Sequence, residues 1–579
     1  MSPQNQEALT VLALDIGSVH TRALLFEVVE KSYRFIAAGV TPSTNDAPIN
    51  DIIIGALEAV KQLQEITGRI FLSPQNSLIS PSQAGGEGVD RLYVAYSVGR
   101  KIRVATFGLM ADVSMQSINK LAAFLPAELV ESVCLNDPRT LQQKMDDVLH
   151  AQPDLFLFAG GTDRGASRSV NKMANLIEAI LQLMPQSSRP EVIYSGNQLL
   201  AKPMRESIGA FTKFTSTANI RPMMDEEDLD QAAEDFARIV TEIHGREKEG
   251  LARLGALSND QPSPSSLAIG RITRFLSKVG DPEKGVLTID LGASATIAAS
   301  AQQGNLSLNV LPYGSGQGFA DFLEHTPFSE ISQWFPGGTD AHAASDILWQ
   351  KTVFPASVPM TREALDVEQA ATRVLLQTLM KDLEKRGALL PQGYETILLS
   401  GAALTQAASS AQLLLMLLDG LQPKGISTLI LDSHSILATL GAVARTLPVL
   451  PVQVLESAAF ANLATVISTE SNVRVGVPLL KAHITYKDGK SREVTVKQGA
   501  LVMLPLRTGE SARLELDVSR LAQIGASELL DSEFKVNGGL CGIVIDARNR
   551  PLKLPTNPAI RSELFSRWNA MVSPKKVVR

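Results

Sequence analysis

A hairpin is written into Val11–Phe26. The apolar run Val11-Leu12-Ala13-Leu14 ends at Asp15, then come Ile16, Gly17, Ser18, Val19, His20 and Thr21, and a second apolar run, Ala23–Phe26, follows Arg22. Two strands joined by so short a turn place an acid, a flexible backbone and hydroxyls at one point. Gly17 has no Cβ, so main-chain N–H groups there can approach a phosphate. Asp15, at the strand end, can hold a hydrated Mg²⁺ that neutralises the phosphates. The same order returns in Gly285–Ala299, where a strand ends in Asp290-Leu291-Gly292, then Ala293, Ser294 and Ala295 precede another strand. One Asp-x-Gly is a weak signal. Two copies, each inside a hairpin and far apart, predict two similar lobes facing each other across a cleft.

This grammar resembles the actin and sugar kinase ATPase superfamily, in which two such loops grip the nucleotide phosphates. The resemblance implies an α/β fold of two actin-like (ribonuclease H-like) lobes, with ATP and Mg²⁺ as cofactors. It makes Asp15 and Asp290 the metal-holding and catalytic carboxylates. Gly17, Ser18, Thr21, Gly292, Ala293 and Ser294 become the phosphate contacts. No general base is identifiable.

The chain of 579 residues is long enough for several domains, and 45% hydrophobic against 20% charged residues is a globular balance. A net charge of −6 argues against a nucleic-acid partner; only the tail Pro574–Arg579 is basic, and it reads as a solvated end. Cys134 and Cys541 have neither zinc nor disulfide spacing, which predicts a reducing compartment. Met1–Ala8 is polar and lacks a signal-peptide core, and no apolar run is long enough to span a bilayer. The expectation is a cytoplasmic protein with no membrane partner.

Ile49–Gly68 has helical spacing, with Ile53, Leu57, Val60 and Leu63 on one face. From Ser114 strands and helices alternate. Ser114–Leu125 reads as a helix, and Asp137–Ala151 as a helix capped by Asp137 with Pro138 in its first turn. Asp154–Ala159 is a buried strand, Val170–Met184 a helix, and Glu191–Tyr194 a strand ending at Ser195-Gly196-Asn197. Such alternation predicts a parallel sheet, with ligands at the C-terminal ends of its strands. The loop Gly160-Gly161-Thr162-Asp163-Arg164-Gly165 keeps two readings: an anion or nucleotide site with Thr162 and Asp163 as ligands, or a tight turn that needs glycine.

Two signatures in this region carry a closer resemblance. Ala159-Gly160-Gly161-Thr162-Asp163, then Tyr194-Ser195-Gly196-Asn197, together with Asp15-Ile16-Gly17-Ser18, are similar to the glutamate mutase accessory protein (GlmL/MutL) family. The family continues its first loop Thr-x-Thr-Lys; here Val19 and Arg22 replace the first Thr and the Lys, and Thr21 stays. Arg22 keeps the charge but changes a compact ammonium to a planar fork. The resemblance covers roughly the first three quarters of the chain. It implies an accessory ATPase that keeps an adenosylcobalamin-dependent mutase active by exchanging damaged cofactor.

Farther on, Asp225–Leu257 reads as one long amphipathic helix and Ser265–Val279 as another. Gly314-Ser315-Gly316-Gln317-Gly318 is a glycine turn that either touches phosphates or reverses the chain. Thr396–Leu399 is a strand, and Ser400-Gly401-Ala402 opens a helix through Leu418. In actin-like proteins this turn receives adenosine; Gly401-Ala402 stands where a glycine pair is usual. Asp432-Ser433-His434 begins like a cobalamin-binding signature, but Leu437 replaces its glycine, so His434 reads as a helix-start residue. After Pro448 short strands prevail. The domains are then 1–283, a first lobe with an inserted α/β segment; 284–450, the second lobe; and 451–579, a β-rich domain with a terminal helix. Two other readings stay open: a non-hydrolysing actin-like scaffold, and a small-molecule kinase or ATP-dependent amidohydrolase with Asp163 as its acid.

Overall fold

The computed structural model describes residues 9–165, 167–525 and 532–572. The N-terminal octapeptide and the basic tail lie outside them. The chain forms two compact units. One gathers the residues through Leu25, Gly39–Ala268 and Leu308–Val310; the other gathers Phe26–Ala38, Ile269–Ser307 and the chain from Leu311 onward. Among the described residues no helix is long and apolar enough to cross a membrane.

The chain opens with β1 (Thr10–Ile16), β2 (His20–Val29) and β3 (Ser32–Pro42). Every residue of β1 is buried, so its hydrophobic run continues through both faces of the sheet. The helix Ile52–Thr67 follows, its first turn capped by the Asp51 carboxylate on Ile53 N and its end by Gly68 at φ +69°. Then β4 (Arg91–Tyr96) pairs in parallel with β1, which sets Ala95 opposite Asp15.

An inserted sheet comes next: β5 (Ile102–Gly108), β6 (Ala127–Cys134), β7 (Leu155–Phe158), β8 (Glu191–Tyr194) and β9 (Phe214–Ser216). All its pairings are parallel and its order is β6-β5-β7-β8-β9. Phe107, Phe156, Phe158, Val192 and Tyr194 pack on one face against Val170, Met173 and Ile177 of the helix Ser167–Leu183. The parallel sheet follows from the alternation of elements, but two local expectations change. The helix after β6 starts at Leu141, not Asp137: Thr140 and Gln143 form a capping box, while the Asp137 carboxylate is taken by Arg139, whose Nε and Nη2 lie at 3.0 and 2.6 Å. Asp225–Leu257 is two helices, Asp230–Glu247 and Glu249–Leu257. The break falls at Lys248, whose Nζ donates to Asn45 O at 2.9 Å. Gly250 then meets the first helix so closely that a Cβ on it would lie 2.7 Å from Ile52 Cγ1.

The short β10 (Ser263–Pro264) returns to β4 and completes the order β10-β4-β1-β2-β3. The helix Ser265–Val279 has the bounds its periodicity predicts.

A second sheet repeats this plan. Consecutive strands β11 (Gly285–Leu291), β12 (Thr296–Gln302) and β13 (Asn305–Leu311) lie side by side, and β14 (Tyr394–Ser400) and β15 (Gly425–Leu431) extend the sheet in parallel beyond β11. The helices Arg362–Lys385 and Ser410–Gly420 cover one face, with Leu375, Leu379, Leu414 and Leu417 fully buried. The β-rich C-terminal region then divides its strands. Three of them, β16 (Ala461–Ser468), β19 (Leu501–Leu504) and β22 (Ile543–Asp546), continue this same sheet in the order β15-β16-β22-β19. The others, β17 (Pro478–Tyr486), β18 (Ser491–Lys497), β20 (Ser511–Val518) and β21 (Ser532–Asn537), form a sheet of their own in the order β18-β17-β20-β21. The terminal helix Pro558–Val572 buries Trp568.

Candidate phosphate-binding site

In the first hairpin Gly17 N donates to His20 O at 3.0 Å, which closes the turn. A Cβ on Gly17 would lie 2.7 Å from that same oxygen, so only glycine fits. Asp15 is 8% exposed, and Arg22 Nη1 stands 3.1 Å from its Oδ2. Burial pushes the Asp15 carboxyl above its ordinary range; Arg22 works against that shift without cancelling it. A buried carboxylate of this kind gains from a cation. Ser18 is half-buried at the turn. Thr21 is different: it is fully buried, and its hydroxyl, without a hydrogen-bond partner, lies 3.4 Å from where a Cβ on Gly55 would stand. Thr21→Val is therefore expected to keep or raise the melting temperature and to leave nucleotide affinity unchanged, since the hydroxyl bonds nothing. Calorimetry on the variant checks this, and weakened binding would return Thr21 to the phosphate contacts.

The second hairpin has the same backbone. Glycine again stands two residues after the acid, and a Cβ on Gly292 would lie 2.6 Å from Ala295 O, the counterpart of His20 O. Thr296 occupies the place of Thr21, is also fully buried, and donates to Tyr313 O at 2.7 Å. Ile297 stands in the place of Arg22. Asp290 is half-buried, as are Gly292, Ala293 and Ser294.

Two further turns are built onto this loop. Ser315 N donates to Gly292 O, and Gly316 N and Gly318 N both donate to Ala293 O, each at 2.9 Å. The glycine turn thus braces the loop from its carbonyl side. The sequence left its role open, although glycine at 314, 316 and 318 is the spacing that lets one backbone lie on another: a Cβ on Gly314 would be 2.5 Å from Gly292 O. Gly401, at φ +103°, packs on the backbone of Leu291 and starts the short helix Ala402–Thr405. Ala402 is half-buried on the first turn of that helix. Three turns remote in sequence, at 292–294, 314–318 and 401–402, therefore meet in the second unit.

Gly160, Gly161, Thr162 and Asp163 sit elsewhere in the first unit, at the C-terminal end of β7. Gly161 has φ +76°. The Asp163 Oδ1 accepts from Asn219 Nδ2 at 2.8 Å and Gln198 N at 3.3 Å, and Asn219 Nδ2 also donates to Gly161 O at 3.0 Å. Asn197 N donates to Gly160 O at 3.2 Å, and Gly165 N to Thr162 O at 2.9 Å. The two glycine-bearing signatures of the inserted sheet are thus interlocked with each other; their hydrogen bonds run to the loops after β8 and β9. The Asp432 carboxylate accepts from Ile436 N and Leu437 N at 3.0 Å, and the His434 ring lies 4.7 Å from that of Phe35. Asp432 thus serves the start of the helix Leu437–Val443, whereas His434 lies in the turn three residues before it and not at its first position.

Among the described residues no three His, Cys, Asp or Glu gather as a metal cluster. The donor set suits Mg²⁺, which is commonly held by one or two carboxylates together with phosphate oxygens and water.

Two sheets that each present a strand meander, an Asp-x-Gly hairpin on its central strands and parallel strands beyond define an actin-like fold. The chain belongs to the MutL protein family, which it matches over residues 11–317, more than half of its length. No curated protein matches the sequence. Similar solved structures include the ethanolamine utilization protein EutJ from Carboxydothermus hydrogenoformans, at 9% identity over 76% of this chain and 90% of that one, with a TM-score of 0.26. A glycerol dehydratase reactivase is 11% identical over 75% of this chain and 99% of its own, with a TM-score of 0.28. Xylulose kinase from Bifidobacterium adolescentis is 12% identical over 75% and 92%, with a TM-score of 0.26. Likenesses this low define neither activity nor partner.

Proposed function

We propose that the protein binds Mg-ATP through its two Asp-x-Gly hairpins and serves as the ATP-dependent accessory protein of an adenosylcobalamin-dependent mutase such as glutamate mutase. The observation that carries the nucleotide reading is the shared hairpin geometry, in which the same glycine is enforced by the same carbonyl in both units. Family membership carries the partner. On this reading Asp15 and Asp290 hold Mg²⁺. Main-chain N–H groups at Gly17, Ser18, Gly292, Ala293 and Ser294 bind phosphate oxygens, and Gly401-Ala402 lies beside the adenosine. The metal's contribution is to neutralise the phosphates. Coupling to a mutase requires two states of the protein, with nucleotide and partner favouring different ones. A cytoplasmic setting belongs to the same reading.

Calorimetry with Mg-ATP tests it. Wild-type protein is expected to bind, and Asp15→Ala and Asp290→Ala each to bind at least about tenfold more weakly, which is ~1.4 kcal/mol. Hydrolysis stimulated by a cobalamin mutase would support the accessory role. Phosphorylation of a small molecule would replace it with a kinase, and binding without turnover with a scaffold. A folded wild-type protein that binds no nucleotide would overturn the whole reading.

A further inference from the structure

The two hairpins differ at one charged position. Arg22 of the first lies on the Asp15 carboxylate, with both side chains largely buried at 17% and 11% exposure, whereas Ile297 fills the corresponding place in the second. At 3.1 Å the guanidinium engages the Oδ2 that a hydrated cation would otherwise use. The same planar fork is suited to a phosphate, to which it can donate two parallel hydrogen bonds. Two anions can thus compete for one guanidinium. The other titratable side chain of the turn, His20, is held towards its neutral form by burial and by the Arg22 charge, so it adds no second cation.

We propose that Arg22 is a latch on the first carboxylate. Without a phosphate it neutralises Asp15 and keeps divalent cations out; a bound phosphate draws the guanidinium away, and Asp15 becomes free to hold the metal. The inference rests on the nucleotide reading above and adds an order to it, with phosphate first and cation second or together. The exchange costs least when the cation arrives together with the phosphate, so that the buried Asp15 carboxylate is not left without a partner. Arg22 is a positioning residue here, since it controls when Asp15 can act.

The test measures two affinities with opposite expected signs in the full chain. Free Mn²⁺, followed by electron paramagnetic resonance without nucleotide, probes access to Asp15; calorimetry with Mg-ATP probes the phosphate. Arg22→Gln is expected to bind Mn²⁺ alone about tenfold more tightly than wild type and Mg-ATP about tenfold more weakly. Arg22→Lys keeps the charge and should give smaller changes of the same two signs. It decides the question if the Gln variant does not fold. Affinities that fall together, or a folded variant in which Mn²⁺ binding does not rise, would overturn the latch. Wild-type protein that binds no Mg-ATP would instead remove the nucleotide reading, which separates the two failures.

Discussion

Asp546→Ala is expected to cost the second unit about 3–5 kcal/mol, because it leaves buried positive charges without their partner. Asp546 closes β22 and is fully buried. Its two oxygens receive Arg548 Nε at 3.0 Å, Arg548 Nη2 at 2.9 Å and Arg550 Nη2 at 2.8 Å. Arg548 also reaches Asp419 at 2.8 Å, Asp419 accepts from Arg373 Nε at 2.9 Å, and the Arg548 guanidinium lies 4.5 Å from the centre of the Trp568 ring. One network therefore ties β22 and the terminal helix to the two long helices of the second lobe. All three tryptophans of the chain, Trp334, Trp349 and Trp568, belong to this unit, so urea unfolding followed by tryptophan fluorescence reports it directly.

The pH dependence follows from the same contacts. Burial alone would raise the Asp546 carboxyl, but the charges and hydrogen bonds of Arg548 and Arg550 outweigh it and leave the group far below the usual carboxylate range. A depressed carboxylate contributes stability above its unfolded value of about 3.9 and loses it as pH falls towards the folded value. Wild-type stability from this group is thus complete at neutral pH and declines only in acid. Asp546→Asn should lower the urea midpoint at neutral pH and narrow its gap to wild type below about pH 4. An equal gap at all pH values would show that the charge contributes nothing.

Gly401→Val is expected to damage both stability and nucleotide binding. The position has φ +103°, and a Cβ there would collide with the backbone oxygen of Leu291 at the base of the second hairpin. The backbone conformation alone costs a β-branched residue about 1–3 kcal/mol, and the collision must also move the loop that carries Gly292–Ser294. Gly509→Ala separates the two effects: φ is +82° there, but nothing lies within 4 Å of the added carbon. It should lose only the conformational part and keep its affinity for Mg-ATP. Unchanged calorimetry for Gly401→Val would disconnect this turn from the nucleotide.

Much of the fold is legible in the sequence because it depends on local patterns. The apolar runs around Asp15 and Asp290 can only be buried strands, and their short connections must turn back. Ser265–Val279 carries a helical period with nothing to interrupt it. Local patterns fail where a distant group decides. Asp137 has the chemistry of a helix cap, yet Arg139 holds its carboxylate and Thr140 caps instead. The amphipathic period runs across Lys248, but packing at Gly250 on another helix breaks the chain there. The helix expected from Gly401 to Leu418 stops after one turn and resumes at Ser410.

The sequence by itself determined the paired hairpins, the glycine each must contain and the parallel inserted sheet, since these follow from hydrophobic period and backbone sterics within a few residues. Only the tertiary structure decided which turns assemble. It laid 314–318 and Gly401 on the second hairpin, interlocked Gly160–Asp163 with Asn219, turned Thr21 inward, set Arg22 on Asp15 and threaded β16, β22 and β19 into the second lobe's sheet. Each of these depends on neighbours that no local pattern names, and burial away from water favours a polar pairing wherever a partner is in reach.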